Sequence, residues 1–338
     1  MRNKFNKYFF CLLLLGCVGL LPCSNTNAQS ILPSFGKSRS GTSGFQFVKI
    51  TVDPRAAAMG NSVVADATDG SSLYWNPALA VQSGHSEVQF SHSIYFMDIT
   101  KEYVSYVQHL KTIAVGVSLQ YLNSGDINET TEFQPLGTGL TFRTIHYSLG
   151  LTVSQKLTEL FSYGLTVHFL DERIEEIQTK TESVDLGFFY RVGDTGLRFA
   201  IGLNNFGPDA KPTGDTQRIT LDGSQTEKNF QKVSLPTTFI IGAAYDAYKG
   251  EHSSLMISGQ LTNPSDNAER VSVGVEYGFM HRFYLRGGYQ FGVDEVKYPS
   301  GGIGVAFPAG KHSFNFDYSF SPYERLGNIH RLALKISI

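Results

Sequence analysis

Alternation of large apolar residues with small or polar ones dominates the chain after residue 80. Between Ile113 and Tyr121 every second residue is large and apolar, and the residues between them are Ala, Gly, Ser and Gln. The same pattern recurs at 145–154, 161–169, 271–279 and 312–320. Because successive side chains of a strand point to opposite faces, the pattern predicts β-strands that each have one wholly apolar face.

The second face of these strands indicates which β architecture they form. In a soluble sandwich the polar face meets water, so Lys and Glu are common on it. Here that face carries mostly Gly, Ser, Thr, Asn and Gln. Such residues are typical of the interior of a membrane barrel, whose apolar face then contacts lipid. The pattern favours an all-β transmembrane β-barrel, with a soluble secreted sandwich as the alternative.

The pattern can also be counted. It predicts fourteen antiparallel strands, near residues 86–97, 101–110, 112–122, 141–154, 160–171, 182–191, 196–205, 233–246, 252–262, 269–279, 282–292, 300–307, 312–320 and 329–338. Bacterial single-chain barrels have even strand numbers, short periplasmic turns and longer outer loops. The long polar connections are predicted at 123–140, 172–181 and 206–232, and the short ones include 192–195 and 308–311. This alternation places both chain termini in the periplasm.

The first 28 residues have the pattern of a secretory signal peptide. Arg2, Lys4 and Lys7 precede an apolar stretch that is too short for a spanning helix, and Ala28 is the expected cleavage site. Cys23 allows a lipoprotein as the alternative, although Pro22 stands where a lipobox has a small residue. Cleavage removes all three cysteines and three basic residues, which leaves a mature net charge of −5. The balance of charges argues against a nucleic-acid-binding protein.

Residues 29–84 interrupt the strand pattern before the barrel domain at 85–338. Three alanines and Met59 predict a short helix that Gly60 ends. The only tryptophan, Trp75, lies in the same segment, and Asn76-Pro77 is a turn signal. The small and aromatic residues predict an N-terminal plug or hatch inside the barrel, with a periplasmic leader as the alternative.

Two motifs in this segment resemble the PorV/PorQ family of outer-membrane barrels. They are Asp53-Pro54-Arg55-Ala56-Ala57-Ala58-Met59-Gly60 and Trp75-Asn76-Pro77-Ala78, although Asn61 stands where a second Gly is frequent. The resemblance implies a Bacteroidetes-like outer membrane and a role in type IX protein secretion or surface attachment of cargo. The family is similar to the fatty-acid transporter FadL, a fourteen-stranded barrel with a hatch. Transport of hydrophobic small molecules is therefore the alternative function.

The candidate functional residues belong to two sets. The plug motif contributes Arg55, Met59, Gly60, Trp75, Asn76 and Pro77. The connection at 206–232 is the candidate partner-binding loop, through Pro208, Pro212, Gly214 and Gly223, because loops on a rigid scaffold often carry binding. The expected partners are outer-membrane lipid, type IX components or exported cargo, and a hydrophobic ligand in the alternative.

Nothing in the sequence predicts an enzyme, a cofactor or a metal site. The nine histidines are scattered singly, and no cysteine follows residue 23. Three arginines, Arg143, Arg198 and Arg286, occur on small or polar faces and are expected inside the barrel.

Overall fold

The computed structural model describes residues 41–132, 134–220, 223–227 and 229–338. The predicted signal peptide (1–28) and the beginning of the predicted leader lie outside the described residues. Among the described residues, no helix is both long enough and apolar enough to cross a bilayer.

Fourteen strands of the described chain form one closed antiparallel barrel. They are β1 (Glu87–Ile94), β2 (Thr100–Leu110), β3 (Ile113–Asn123), β4 (Thr144–Lys156), β5 (Phe161–Ile174), β6 (Ile177–Arg191), β7 (Leu197–Phe206), β8 (Thr238–Lys249), β9 (Ser253–Pro264), β10 (Arg270–Phe279), β11 (Phe283–Phe291), β12 (Ser300–Ala309), β13 (His312–Tyr323) and β14 (Gly327–Ser337). Each strand pairs with its neighbours in sequence, and β1 pairs with β14 to close the barrel. The predicted strand count is confirmed, and the alternative of a two-sheet sandwich is wrong.

The two faces of each strand differ as the alternation predicts. On β3 the side chains of Val115, Val117 and Leu119 are exposed, whereas Ser118 and Gln120 are buried. A large set of apolar side chains points outward in the same way around the barrel. The apolar residues therefore face the surroundings, and the small and polar residues face the interior.

The connections leave the barrel at two different rims. The short-turn rim carries the connections after β2, β4, β6, β8, β10 and β12, together with the start of β1 and the end of β14. The long-loop rim carries the others, including the connections at 124–143 and 207–237. Two expectations about the long-loop rim are wrong. The predicted loop at 172–181 is a two-residue turn at Glu175 and Glu176, because β5 and β6 continue into it. The loop at 206–232, which showed no strand pattern, contains a hairpin of Thr216–Thr220 and Gly223–Glu227.

Residues 43–86, called the amino-terminal segment below, contact the inward faces of the strands. They contain a 3₁₀ helix (Gln46–Lys49), helix α1 (Pro54–Ala58), helix α2 (Ser72–Trp75) and a second 3₁₀ helix (Pro77–Gln82). The helix predicted before Gly60 is confirmed as α1. Most residues between Thr51 and Val81 are buried, so the segment and the inward faces together form the core.

Candidate functional site

Helix α1 and the turn after it lie close to the wall because their residues are small. Asp53 caps the helix, since its Oδ2 accepts a hydrogen bond from the Ala56 amide at 3.0 Å, and Pro54 begins the helix without an unpaired amide. The chain then turns at Gly60, whose φ of +63° favours glycine. A Cβ at Gly60 would also lie 2.7 Å from the amide nitrogen of Tyr289. Both backbone conformation and space therefore require glycine there.

Glycines on the inward faces allow the backbone of the segment to approach the strands. A Cβ at Gly288 on β11 would lie 2.1 Å from the carbonyl carbon of Met59. A Cβ at Gly164 on β5 would lie 2.4 Å from the carbonyl carbon of Pro77. Met59 and Pro77 thus pack against different strands of the wall. At each place, a strand residue larger than glycine would collide with the backbone of the segment.

Asn76 joins the start of the second 3₁₀ helix to the wall. Its Oδ1 accepts a hydrogen bond from the Ala78 amide at 3.0 Å and caps the second 3₁₀ helix. Its Nδ2 donates to the carbonyl oxygens of Val64 and of Phe188 on β6, each at 3.2 Å. One buried side chain therefore holds two parts of the segment and one strand together.

Trp75 lies in the largest buried apolar cluster, with 6 % of its surface exposed. Its ring meets that of Tyr74 edge to face at 5.1 Å, and its backbone carbonyl accepts from Asn204 Nδ2 at 3.4 Å. Its Nε1 has no hydrogen-bond partner among the described residues. Beside it is a cavity of about 60 Å³ with several polar lining residues, among them Gln120, His168, Asn204, Gln260 and Arg270. The lining is therefore mixed, with apolar residues such as Val48 and Ile240 beside these polar side chains.

Arg55 joins α1 to the wall through ion pairs. Its Nε donates to Glu276 Oε2 on β10 at 2.8 Å, and its Nη2 pairs with Asp66 in the segment. Asp66 also pairs with Arg198 on β7 at 2.8 Å, and Arg198 pairs with Asp246 on β8 at 2.8 Å. A chain of alternating charges thus runs from β10 through the segment to β8.

Lys335 on β14 is the centre of a second group of charges. Its Nζ lies 3.1 Å from Asp53 Oδ1, 2.6 Å from Asp69 Oδ2 and 3.0 Å from Asp317 Oδ2. Arg286 pairs with Asp317 on β13 and continues to Glu276, which links this group to the first. We call the whole set the charge network: Arg55, Arg198, Arg286, Lys335, Asp53, Asp66, Asp69, Asp246, Glu276 and Asp317.

Burial disfavours the charged form of a carboxylate, and the cations of the charge network oppose that effect on Asp53, Asp66 and Asp69.

The predicted loop residues lie at separate places along the connection at 207–237. The carbonyl of Pro208 accepts a hydrogen bond from Thr181 Oγ1 at 3.4 Å. Pro212 precedes the bridge residue that pairs with β6, and Gly214, at φ +127°, lies where a Cβ would be 2.4 Å from the Glu176 carbonyl oxygen. Gly223 begins the second strand of the hairpin. The region of Pro208, Pro212 and Gly214 thus lies against β6 and the turn before it, and the hairpin follows in the chain.

Two of the three arginines considered from sequence have carboxylate partners on the inner side of the barrel, and the third does not. Arg198 and Arg286 point inward and join the charge network, whereas the Arg143 side chain is exposed and pairs with exposed Asp126. Sequence reasoning missed Lys335 and Asp317. The available signal was a charged residue on a strand face whose other residues are small or polar, and Lys335 and Asp317 each lie on such a face.

A hydrogen-bonded Ser–His–Asp row occurs on the inward face of β4, β5 and β6. Ser148 Oγ is 3.3 Å from His168 Nδ1, and His168 Nε2 is 2.9 Å from Asp185 Oδ2. Ser148 is 1 % exposed, so its hydroxyl is not accessible to a substrate. Within the described ranges, no three His, Cys, Asp or Glu side chains are grouped as a metal site requires.

A closed fourteen-stranded antiparallel barrel with an apolar outer face is the architecture of an outer-membrane β-barrel. Solved structures with similar folds support this class. The Pseudomonas putida toluene transporter TodX matches with a TM-score of 0.57 and 14 % identity, over 84 % of this chain and 96 % of that one. The CymD monoaromatic hydrocarbon channel matches with 0.56 and 15 %, over 87 % and 98 %. The Ralstonia pickettii toluene transporter TbuX matches with 0.55 and 11 %, over 88 % and 98 %. These identities establish the fold alone.

The family is defined by sequence. Residues 35–263 match the family described as type IX secretion system protein PorV, and the chain belongs to this family. A comparison with curated proteins gives no match. The matched range includes the amino-terminal segment and the strands from β1 into β9. The resemblance noted in the sequence is therefore confirmed.

Proposed function

We propose that the protein is a plugged outer-membrane barrel that serves as a binding and assembly component of type IX secretion. The observation that carries this proposal is the family match over residues 35–263. The barrel anchors the protein, and the loops of the long-loop rim bind secretion components or exported cargo. No step of this role requires catalysis or a cofactor.

The membrane placement follows from the outward side chains. Strands of about ten residues cross a bilayer at a tilt, and the exposed apolar side chains around the barrel match hydrocarbon. Short turns face the periplasm in such barrels and long loops face outward. We infer that the short-turn rim, where Ile338 lies, is periplasmic, and that the long-loop rim with its hairpin faces the cell exterior.

The amino-terminal segment acts as the plug in this proposal. Support comes from the glycine contacts at Met59 and Pro77, from the hydrogen bonds of Asn76 and from the charge network. These contacts involve strands on several arcs of the wall. A segment held at so many points closes the bore and also ties the wall strands together.

The test is secretion in a strain that lacks the gene. Export and surface attachment of proteins bearing the type IX carboxyl-terminal signal should fail and return with the wild-type gene. A variant in which residues 216–227 are replaced by a short Gly-Ser linker should insert normally but lose co-purification with secretion components or cargo. The matched control shortens the other long connection, at 124–143, by replacing residues 131–138 in the same way. Unchanged export in the deletion strain contradicts the proposed function.

The second candidate function is the passage of hydrophobic small molecules. The likeness in fold to toluene transporters and a hydrocarbon channel favours it. The cavity beside Trp75 offers a ligand little room, because about 60 Å³ is small against the roughly 300–1,000 Å³ of ligand pockets, and the larger cavity of about 650 Å³ at the short-turn rim is lined by charged residues such as Asp69, Glu276 and Arg286. Titration of the purified protein with toluene or a fatty acid, followed by Trp75 fluorescence, tests this function. A saturable change supports it, and an unchanged spectrum contradicts it.

A further inference from the structure

The described amino-terminal end of the chain lies at the long-loop rim. Ser43 forms a parallel bridge with Ser234, and the Gly44 amide donates to the Ser234 carbonyl oxygen at 3.0 Å. Phe45 and Phe47 are buried in an apolar cluster that also contains Leu122, Leu170, Ala210 and Leu235. Leu122 lies at the end of β3, and Ala210 and Leu235 belong to the connection between β7 and β8. The first described residues are therefore part of the surface that carries the long loops.

The other end of the amino-terminal segment lies at the opposite rim. Gln82 Nε2 donates to Ser162 Oγ at 2.9 Å, near the short turn before β5. The Ser86 carbonyl oxygen accepts from the amide of Ile338 at 2.8 Å, next to the start of β1. Between these ends, Arg55 and Asp66 contact strands in the interior. Residues 43–86 therefore cross the barrel once, from the long-loop rim to the short-turn rim.

The segment does not pass through a gap between the first and last strands of the barrel. β1 and β14 pair over eight residues, from Glu87 opposite Ser337 to Ile94 opposite His330. Further contacts hold the starting point of the path, since Lys49 Nζ lies 2.8 Å from Asp266 Oδ1 in the connection after β9. Burial lowers the pKa of Lys49, and the Asp266 carboxylate opposes the shift. The segment is thus enclosed in its middle and attached at both rims.

We propose that the amino-terminal segment emerges at the cell surface, so that Thr42 and Ser43 face the exterior while Ile338 faces the periplasm. This inference rests on the orientation given under the proposed function. It differs from the expectation from sequence that both ends of the chain are periplasmic. The outer binding surface then consists of the loops together with the accessible residues Thr42, Ser43 and Gln46, and the bridge of Ser43 to Ser234 joins them to the connection at 207–237. A secretion component or cargo protein that binds the loops from outside also meets this segment.

The test uses single cysteines, because no cysteine follows residue 23 in the wild-type chain. Thr42→Cys reports on the amino-terminal segment, Leu136→Cys on the long loop at 124–143, and Asp194→Cys on the short turn between β6 and β7. All three positions are exposed. Intact cells are treated with a membrane-impermeant maleimide, and each signal is divided by the labelling of the same variant in denaturant. The wild-type protein is the blank, and heat-dependent gel mobility verifies that each variant forms the barrel.

The expected result is strong labelling of Thr42→Cys and Leu136→Cys on intact cells, with Asp194→Cys labelled only after lysis. Labelling of Leu136→Cys without Thr42→Cys overturns the inference but leaves the orientation standing. Labelling of Asp194→Cys without Leu136→Cys overturns the orientation and the inference together. The secretion assay of the deletion strain is independent of all these results, so a failure of the proposed function is recognised separately.

Discussion

Replacing Gly288 by alanine should displace the amino-terminal segment from the wall, whereas replacing Gly287 should not. The two glycines are neighbours on β11 and point to opposite faces. A Cβ at Gly288 would lie 2.1 Å from the Met59 carbonyl carbon and 2.3 Å from the Gly60 nitrogen. A Cβ at Gly287 meets nothing within 4 Å. The pair therefore separates the effect of added volume inside the barrel from that of changing a glycine in a strand.

The size of the effect follows from these distances. Non-bonded carbon atoms rest about 3.5–4.0 Å apart, so the Met59 backbone must retreat by more than about 1 Å. Extra volume in a packed interior costs about 1–3 kcal/mol, and the upper end is expected because backbone atoms cannot rotate away. Gly287→Ala should be neutral or slightly stabilising, by up to about 1 kcal/mol, because alanine restricts the unfolded chain.

The only tryptophan of the chain provides the assay. Trp75 is 6 % exposed and shares a buried cluster with Met59, so displacement of the segment should expose it. Gly288→Ala should show red-shifted emission, stronger quenching by acrylamide and a lower urea midpoint in detergent. Gly287→Ala should match the wild-type protein in all three measurements. If both variants quench alike and unfold at the same midpoint, the segment does not depend on close approach at Gly288, and the packing argument is refuted.

Three further substitutions test the polar contacts. Lys335→Met should lower the free energy of unfolding by about 3–5 kcal/mol, because Asp53, Asp69 and Asp317 each lose a cationic partner, although Asp317 keeps Arg286. The temperature of the heat-dependent gel shift should fall, while Lys311→Met in an exposed turn leaves it unchanged. Asn76→Ala should lower the free energy of unfolding by about 1–3 kcal/mol, because the helix cap and two hydrogen bonds are lost. The urea midpoint measures this, with Asn267→Ala as the control, and equal midpoints for the two variants would contradict the role of Asn76. Arg143→Ala should leave the gel shift where it is, since its pair with an aspartate is exposed; a clear fall would mean that the pair is less solvated than its exposure indicates.

Most of the barrel could be predicted from the sequence because the alternation has a period of two and each strand has two different faces. All fourteen strands were predicted, and their predicted ends differ from the observed ends by a few residues. The turn at Glu175 and Glu176 was predicted as a long loop, because acidic residues there resemble a solvated connection. β5 and β6 instead continue to that turn, where polar side chains are tolerated. The hairpin of Thr216–Thr220 and Gly223–Glu227 lacks an apolar alternation, so nothing in its sequence indicated strands.

The site was predictable only in part. The motifs at Arg55 and Asn76 identified the amino-terminal segment as a distinct element. Their partners could not be identified, because Glu276 and Phe188 meet the segment only when the register of every strand is known. Lys335 shows the same difficulty: its charge was visible on a small face, but Asp53 lies more than two hundred residues away in the chain.

The last strand of the chain carries the cation that the first helix needs. Lys335 reaches Asp53 and Asp69 from β14, and β14 also completes the barrel by pairing with β1. During biogenesis these carboxylates are made early, and their counter-ion is made last. The strand that closes the barrel thus also brings the ammonium to the segment, and a barrel that closed without the segment would leave Lys335 with Asp317 as the remaining one of its three carboxylate partners.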